Sequence, residues 1–455
     1  MKPITIPNIG IPTIGIPTIG IPSVGFPSAS GGGGLSWPAG MKEHIKAWYD
    51  PKKQGMTNFD VIEAYMEDFT TWTVNKEGVI ANVTSKSITI TNVLNSNPLI
   101  YAYDTFSVRL RIDGLKNGQG IFFGDNKEYT ISENGIYDID MTENIRTNFI
   151  GECNITITQL PTSILKDFSG NGNHAYLYGG KGNLNSGMGL YKVDFTSWRK
   201  SSVQTEVKPD VVKVTPNTSN YLFIQYASSA EIPSYKIKVI GLGDNVLKYQ
   251  YATENGRKEI NIVEGENELP TSIKVSNDYQ IGYRLTPGTS VFTITQIPDY
   301  PDQLCYDGKM YAVAYDMPIL TDYTVMAERT WFEKEECSAF ISNSLGGMEA
   351  PSNGAFSVEL KSLNSFTTIS FGSITSIGIP EKGITYQTKQ SYNGNSINVG
   401  TKESNDILIL GGRYFYKNDN AAGNTWTGCH GAIIVADRSF TEEEINWLKQ
   451  NWDKI

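Results

Sequence analysis

The sequence predicts an all-β protein: one frame domain interrupted twice by copies of the same β-sandwich module. Three observations predict it. Aromatic residues are 11% of the 455 residues and charged residues only 19%, with 44 Gly and 25 Tyr. Aromatic and β-branched side chains suit a half-buried pleated surface, and glycines suit the turns between short strands. Two blocks repeat one another in order, the mark of an internal duplication. Between them lies Leu165–Gly179, LKDFSGNGNHAYLYG, which resembles neither block and reads as a turn and strand of a third unit.

The duplication is read from matched landmarks. Asp68-Phe69-Thr70-Thr71-Trp72 opens the first block and Asp194-Phe195-Thr196-Ser197-Trp198 the second. The blocks close with Thr156-Ile157-Thr158-Gln159-Leu160-Pro161 and Thr293-Ile294-Thr295-Gln296-Ile297-Pro298. Short alternating strands such as Ser87–Thr91, Phe106–Ile112 and Tyr235–Ile240, separated by Gly- or Asn-bearing turns, predict a sandwich in each. Two copies are too few for a solenoid, so each should hold its own core, with Trp72 and Trp198 inside. The expected spans are 1–34 tether and joint, 35–67 frame, 68–163 first module, 164–193 frame, 194–301 second module and 302–455 frame.

The frame elements follow in order. Lys46–Asp50 starts it as a strand, Pro51–Phe59 reads as a loop, and Val61–Glu67 as a short helix or connector. Asp167, Ser169, Asn171 and Asn173 alternate with Gly170 and Gly172, a tight loop, and His174–Tyr178 runs on as a strand. After Leu304 the strand candidates are Met310–Tyr315, Thr324–Phe332, Ala339–Ser342, Ala355–Leu360, Thr367–Phe371, Ile384–Ser391, Ile407–Leu410 and Gly431–Ala436. Asn393-Gly394 predicts a hairpin turn. Thr441 with Glu444 forms a capping box, and Ile445, Leu448 and Trp452 an apolar face, which predicts a C-terminal helix.

In front stands a pentapeptide repeat over residues 6–27, IPNIG, IPTIG, IPTIG, IPSVG and a final Phe-Pro. The recurring prolines exclude a helix. The aliphatic content is too high for a solvated linker, so the segment is expected to order in an apolar groove of a partner. Gly31–Gly34 is a flexible joint.

Composition narrows the function. The net charge is −10 and no Lys/Arg run appears, so nucleic acid is not an expected partner. No stretch has signal-peptide or membrane-span character, which predicts synthesis in a cytoplasm without a signal peptide and no membrane insertion. Cys153, Cys305, Cys337 and Cys429 are far apart in sequence and read as buried free thiols. His44, His174 and His430 sit in structural contexts, and no HExxH, GxSxG or P-loop pattern occurs. Glu264, Glu266 and Glu268 share a face at period two, as in some glycosidases, but lie in a glycine-bearing turn. The chain is therefore read as no enzyme, with no cofactor. Sugar faces are apolar and their rims hydroxylated, so the aromatic and amide mixture of Arg413–Thr427 makes Tyr414, Tyr416, Asn418, Asn424 and Trp426 the candidates for glycan binding. A core face with a surface loop is the alternative for the same residues.

The segments AWYDP at 47–51, LKDFSGNGNHA at 165–175, YTVMAERTWF at 323–332 and GAIIVADRSFTEEEINWLKQNW at 431–452 together resemble the concanavalin A-like, laminin-G-like jelly roll. That resemblance implies a calcium site at a loop edge, for which Asp167, Asn171 and Asn173 supply hard oxygens; loop-closing hydrogen bonds are the other reading. KAWYDPKKQG, the split DFSGNGNHA loop and the IPxIG tail also resemble virion proteins of crAss-like phages, in particular fibres on the head. This implies a capsid decoration on the outer surface of the virion, homo-oligomeric, binding host-surface glycans. Its capsid-anchoring residues would be Ile6, Pro7, Ile9, Ile11, Pro12, Ile14, Ile16, Pro17, Ile19, Ile21, Pro22 and Phe26. The alternatives are a glycan-degrading enzyme of the same fold, a tail fibre or a bacterial surface adhesin.

Overall fold

The computed structural model describes residues 35–74, 80–91, 100–102, 106–123, 129–141, 145–150, 154–182, 185–200, 204–216, 224–226, 231–274, 281–346, 356–416 and 421–455. The repeat, the Gly31–Gly34 joint and Asn418 lie outside them.

The frame is a sandwich of two eight-stranded antiparallel sheets. At the heart of the first, Thr427–Ala436 pairs with Thr324–Glu333 along one edge. Its other edge is shared by Leu304–Asp307 and Ile45–Tyr49, so the first and last strands of the frame meet. All ten residues of Thr427–Ala436 are buried because both faces are covered. Ile433 and Val435 join Val325, Ala327 and Trp331 between the sheets. Ala432, Ile434 and Ala436 turn outward under Ile445 and Leu448 of the helix Glu442–Asn451 and Trp452 just after it. Burial on both faces explains why GAIIVA reads as a continuous apolar run.

The expected capping box holds that helix: Thr441 Oγ1 accepts from Glu444 N at 3.2 Å, and Glu444 Oε2 from Thr441 N at 2.8 Å. The second sheet runs Ile164–Leu165, Ala175–Tyr178, Tyr311–Ala314, Leu408–Leu410, Ile341–Ser342, Phe356–Lys361, Phe366–Ser370, Ser373–Ile377. Asn393 and Gly394 both have positive φ, at 47° and 84°, and join Ser391–Tyr392 to Asn395–Ser396; a two-residue hairpin that twists with its strands needs that geometry. The loop expected over Pro51–Phe59 is instead two single-turn helices, Pro51–Gln54 and Asn58–Val61. Asp50 caps the first through Lys53 N at 3.0 Å, and the Thr57–Asp60 box caps the second.

Both blocks are two-sheet sandwiches with one strand order. In the first, Ile80–Val83, Ser87–Thr91, Ile155–Gln159, Phe106–Asp113 and Gly135–Met141 form one sheet. In the second, Gln204–Val207, Val211–Thr215, Phe292–Ile297, Tyr235–Ile240 and Gly265–Leu269 lie in the same sequence. Each has a separate core, with Trp72 in one and Trp198 in the other. A buried glutamine is duplicated with its bonds. Gln159 Oε1 accepts from Met66 N and Glu67 N, both at 2.8 Å, and Gln296 Oε1 from Lys192 N and Val193 N at 2.7 and 3.2 Å. Each returns an amide hydrogen to the backbone, Gln159 to Glu67 O and Gln296 to Val193 O. The closing strand of each module thus clamps the chain where it enters from the frame, which satisfies backbone groups that would otherwise be buried unpaired.

Candidate ligand-binding surfaces

Among the described residues of Arg413–Thr427 the aromatic candidates for glycan binding are packed inward rather than presented as a platform. Trp426 has 0% exposure and sits between the frame sheets. Its ring lies 4.9 Å from that of Phe340, 5.5 Å from Tyr306 and 5.8 Å from Trp331. Gly428 lies directly beneath the ring, where a Cβ would collide with it. Tyr414 is buried too, with the Arg413 guanidinium 4.5 Å above its ring. Tyr414 and Tyr416 do share a face, their rings 6.5 Å apart, but Tyr416 is half-buried against Gly346 and Gly423. Asn424 is an exposed turn residue at φ 54°. The physical reason for the correction is register: the pairing of Thr427–Ala436 with Thr324–Glu333 shifts between His430 and Ile433, so His430, Gly428 and, two residues earlier, Trp426 take the inner face although Ala432 and Ile434 take the outer one.

The Asp167 loop closes on itself. Asp167 Oδ1 accepts from Trp48 N at 2.9 Å and Ser169 N at 2.8 Å, and Oδ2 from Ser169 Oγ at 2.7 Å and Asn173 N at 3.0 Å. Asn171 Nδ2 donates to Ile45 O at 2.8 Å and Asn173 Nδ2 to Lys46 O at 2.7 Å. The three residues proposed for calcium are brought together, but their side chains stitch the loop to the strand Ile45–Tyr49, with the carboxylate lone pairs committed to N–H and O–H donors. Among the described residues no group of three or more His, Cys, Asp or Glu is placed to hold a metal ion.

The acid row is structural as well. Glu264 accepts from Gly241 N and Leu242 N at 2.9 and 2.8 Å and so closes a turn. Glu266 and Glu268 stand opposite Lys238 and Lys236 on the neighbouring strand, cross-strand charge pairs on an outward face. Glu328 differs. It is half-buried beside Asp50, Asp302 and Asp453 in a cleft of about 370 Å³, and burial, then the Asp453 charge, raises its pKa above the usual carboxylate value.

Each histidine has a partner. His44 Nδ1 is 2.7 Å from Asp437 Oδ1, and His174 Nδ1 accepts from Asp167 N at 3.0 Å. His430 is fully buried: Nδ1 bonds Gly431 O at 2.7 Å and Nε2 meets Tyr306 OH at 3.0 Å. Burial lowers its pKa to about 4. The folded state therefore holds His430 neutral, and the unfolded chain takes up the proton first as pH falls. Its contribution to stability is complete above the unfolded value of about 6.5 and is lost down to about pH 4, roughly 3 kcal/mol in all. Urea unfolding of wild type and His430→Gln at pH 7 and pH 4 should show a shallower acid loss in the variant.

One surface suited to a polar ligand was not foreseen. At one end of the first module a bowl of about 790 Å³ is lined by Asn117, Gln119, Phe122, Thr130, Ser132 and Glu133, among others. Ile121 and Phe123 point into the core, which leaves Phe122 between them half-buried on the outer face. The rim is held in place: Asn134 Oδ1 accepts from Leu115 N at 2.7 Å, Asn134 Nδ2 donates to Leu115 O at 3.1 Å, and Gln119 Oε1 accepts from Lys116 N at 3.0 Å. An apolar ring beside pinned amides and the exposed hydroxyls of Thr130 and Ser132 suits a sugar face and its hydroxyls. The duplication could have pointed here. The corresponding end of the second module carries exposed Ile240, Val246, Val263 and Val291 instead, so one scaffold presents a polar end and an aliphatic one.

No protein-family model and no curated protein matches the chain. Among solved structures it is similar to Trypanosoma rangeli sialidase in complex with sialic acid, at 9% identity and a TM-score of 0.26, over 84% of each chain. The same sialidase with the inhibitor DANA gives 10% identity and a TM-score of 0.24, again over 84% of each chain. Its covalent intermediate with 2,3-difluorosialic acid gives 9% and 0.24, over 87% of this chain and 90% of that one. Likeness at this level carries no argument about chemistry. The solved structures named here are of an enzyme, and the expectation that the chain is no enzyme is withdrawn.

Proposed function

We propose that the chain is an attachment protein of a phage virion: a capsid-mounted fibre or decoration held by residues 1–34, with a glycan bound at the end of the first module. The observation that carries the glycan half is the bowl around Phe122, a half-buried aromatic floor with a pinned amide rim. The anchoring half is supported by the repeat, whose aliphatic and proline content suits an apolar groove on a capsid protein better than water. The ligand class is a neutral glycan of a host surface or of mucus, since Glu133 on the rim would repel an acidic one, and the working form is a homo-oligomer on the outer capsid.

Glycan-array binding tests the first half. Truncating a central aromatic anchor removes more than about 1–2 kcal/mol of binding, roughly tenfold or more in affinity. Phe122→Ala is therefore expected to lose at least that much while its thermal unfolding stays near that of wild type. Undiminished binding by Phe122→Ala would move the site elsewhere.

A further inference from the structure

One surface is the reverse of the bowl. The segment joining the frame to the first module exposes three large apolar side chains within eight residues: Phe59 at 82%, Ile62 at 40% and Met66 at 59%. Val61, between them, is fully buried, so the segment is pinned from beneath and the exposed side chains are held up by design of the fold. They join three adjacent hollows. Phe59 and Ile62 line both a cleft of about 690 Å³ facing the second module, walled by Pro298 and Pro301, and one of about 370 Å³ toward the first. The latter shares Thr162 and Ile164 with a third hollow of about 260 Å³ that contains Met66. The three hollows share lining residues and so lie side by side at the junction of the three sandwiches, and the apolar part of this groove is the wall where Phe59 and Ile62 stand with Met188, Val211, Pro298 and Pro301. Exposed contiguous apolar surface of this kind marks a docking site.

We propose that this groove is the resting seat of the chain's own N-terminal repeat. Two observations select that occupant. The first is where the described chain begins. Trp37 packs 5.8 Å from the ring of Trp48, and Lys53 lies 3.8 Å above that same ring. Lys53 is the neighbour of Gln54, which lines the groove. Residues 28–34 can span up to roughly 25 Å, which is enough reach for the repeat to meet the groove's edge. The second is chemistry. In an extended chain residues two apart share a face, so the isoleucines flanking each glycine, Ile9 and Ile11 about Gly10 or Ile14 and Ile16 about Gly15, form paired aliphatic knobs. Prolines fix the intervening backbone and lower the entropy lost on docking. Aliphatic knobs on a chain whose prolines limit its conformations match the wall where Phe59 and Ile62 stand with Pro209, Pro298 and Pro301.

Seating the repeat at home has a consequence for attachment, and this part rests on the reading of residues 1–34 as the anchor. The repeat must leave the groove before it engages a capsid protein, so its apparent affinity for the capsid falls by the fraction already released. An apolar tail is thereby kept from premature self-association.

Hydrogen exchange tests the proposal directly. Full-length protein and a version lacking residues 1–34 are compared at two concentrations, following the amides of residues 59–65. The expected result is exchange at least about tenfold slower in the full-length chain, independent of concentration. Phe59→Asp in the full-length chain should abolish that difference; because Phe59 is mostly exposed, its melting curve should match wild type. Should Phe59→Asp melt early, a synthetic IPTIGIPTIGIP peptide added to the truncated protein gives the same readout and should restore protection. Equal exchange in both lengths overturns the proposal. So does protection that grows with concentration alongside a dimer mass, which would put the repeat on a neighbouring copy. A chain that binds glycan but shows no protection fails this inference alone; one that is protected yet blind to glycan fails the function above.

Discussion

Replacing Glu359 by Ala is expected to destabilise the frame by roughly 3–5 kcal/mol, the cost of leaving a buried partner charge uncompensated. Glu359 and Arg329 both have 0% side-chain exposure and reach each other from opposite sheets. The carboxylate accepts from Arg329 Nε and Nη2 at 2.6 and 2.8 Å, Trp331 Nε1 at 2.8 Å, Thr385 Oγ1 at 2.7 Å and Tyr392 OH at 2.9 Å. Five donors on one carboxylate satisfy the desolvated charge. Glu359 also adopts φ 57° within the strand Phe356–Lys361, where the pairing shifts register between Ser357 and Leu360. A non-glycine residue at positive φ costs of order 1–3 kcal/mol and persists only where its surroundings fix it; here the five-donor network does so. Removing both charges together, Arg329→Met with Glu359→Leu, should recover the part of the loss owed to the unpaired Arg329 charge, but not the part owed to Trp331, Thr385 and Tyr392, whose donors still lose their acceptor. Urea unfolding followed by the fluorescence of Trp331 and Trp426 measures both variants. A Glu359→Ala variant as stable as wild type would show that the network contributes nothing.

Trp426→Ala is expected to cost the frame about 3–5 kcal/mol, as for other buried large aromatics, and to leave glycan binding per folded molecule unchanged. The ring fills the space among Phe340, Tyr306 and Trp331, and Gly428 gives way to it. The alanine would open a cavity bounded by rigid rings, which cannot collapse into it. Measuring stability and glycan affinity on the same variant separates the two roles. Loss of affinity without loss of stability would restore Trp426 to a ligand site.

What the sequence disclosed was what period and repetition encode. The DFTTW and DFTSW openings and the Gln159 and Gln296 closings located two modules of one topology, and the Thr441–Glu444 box located the C-terminal helix. Trp426 misled because an aromatic among amides has the same composition on a sugar platform and at the start of a core strand; alternation counted back from Ile433 and Val435 would also turn it outward, and only the register shift between His430 and Ile433 turns it in. Arg329 was within reach, since Val325, Ala327 and Trp331 fix the inward parity of its strand and Arg329 falls on it. Glu359 was not, because a register shift turns it inward against the alternation of Phe356 and Val358. The bowl around Phe122 was hidden for a related reason: Gly120–Phe123 reads as uniformly apolar, and which of Ile121, Phe122 and Phe123 faces out depends on the partner sheet.

The account stands or falls on whether one chain links a particle at its N-terminus to a glycan at its first module. The direct measurement is retention of virions, stripped of this protein and then supplemented with it, on a mucin-coated surface. Full-length protein should restore retention, and neither the version lacking residues 1–34 nor Phe122→Ala should do so. Retention restored equally by either variant would contradict the account.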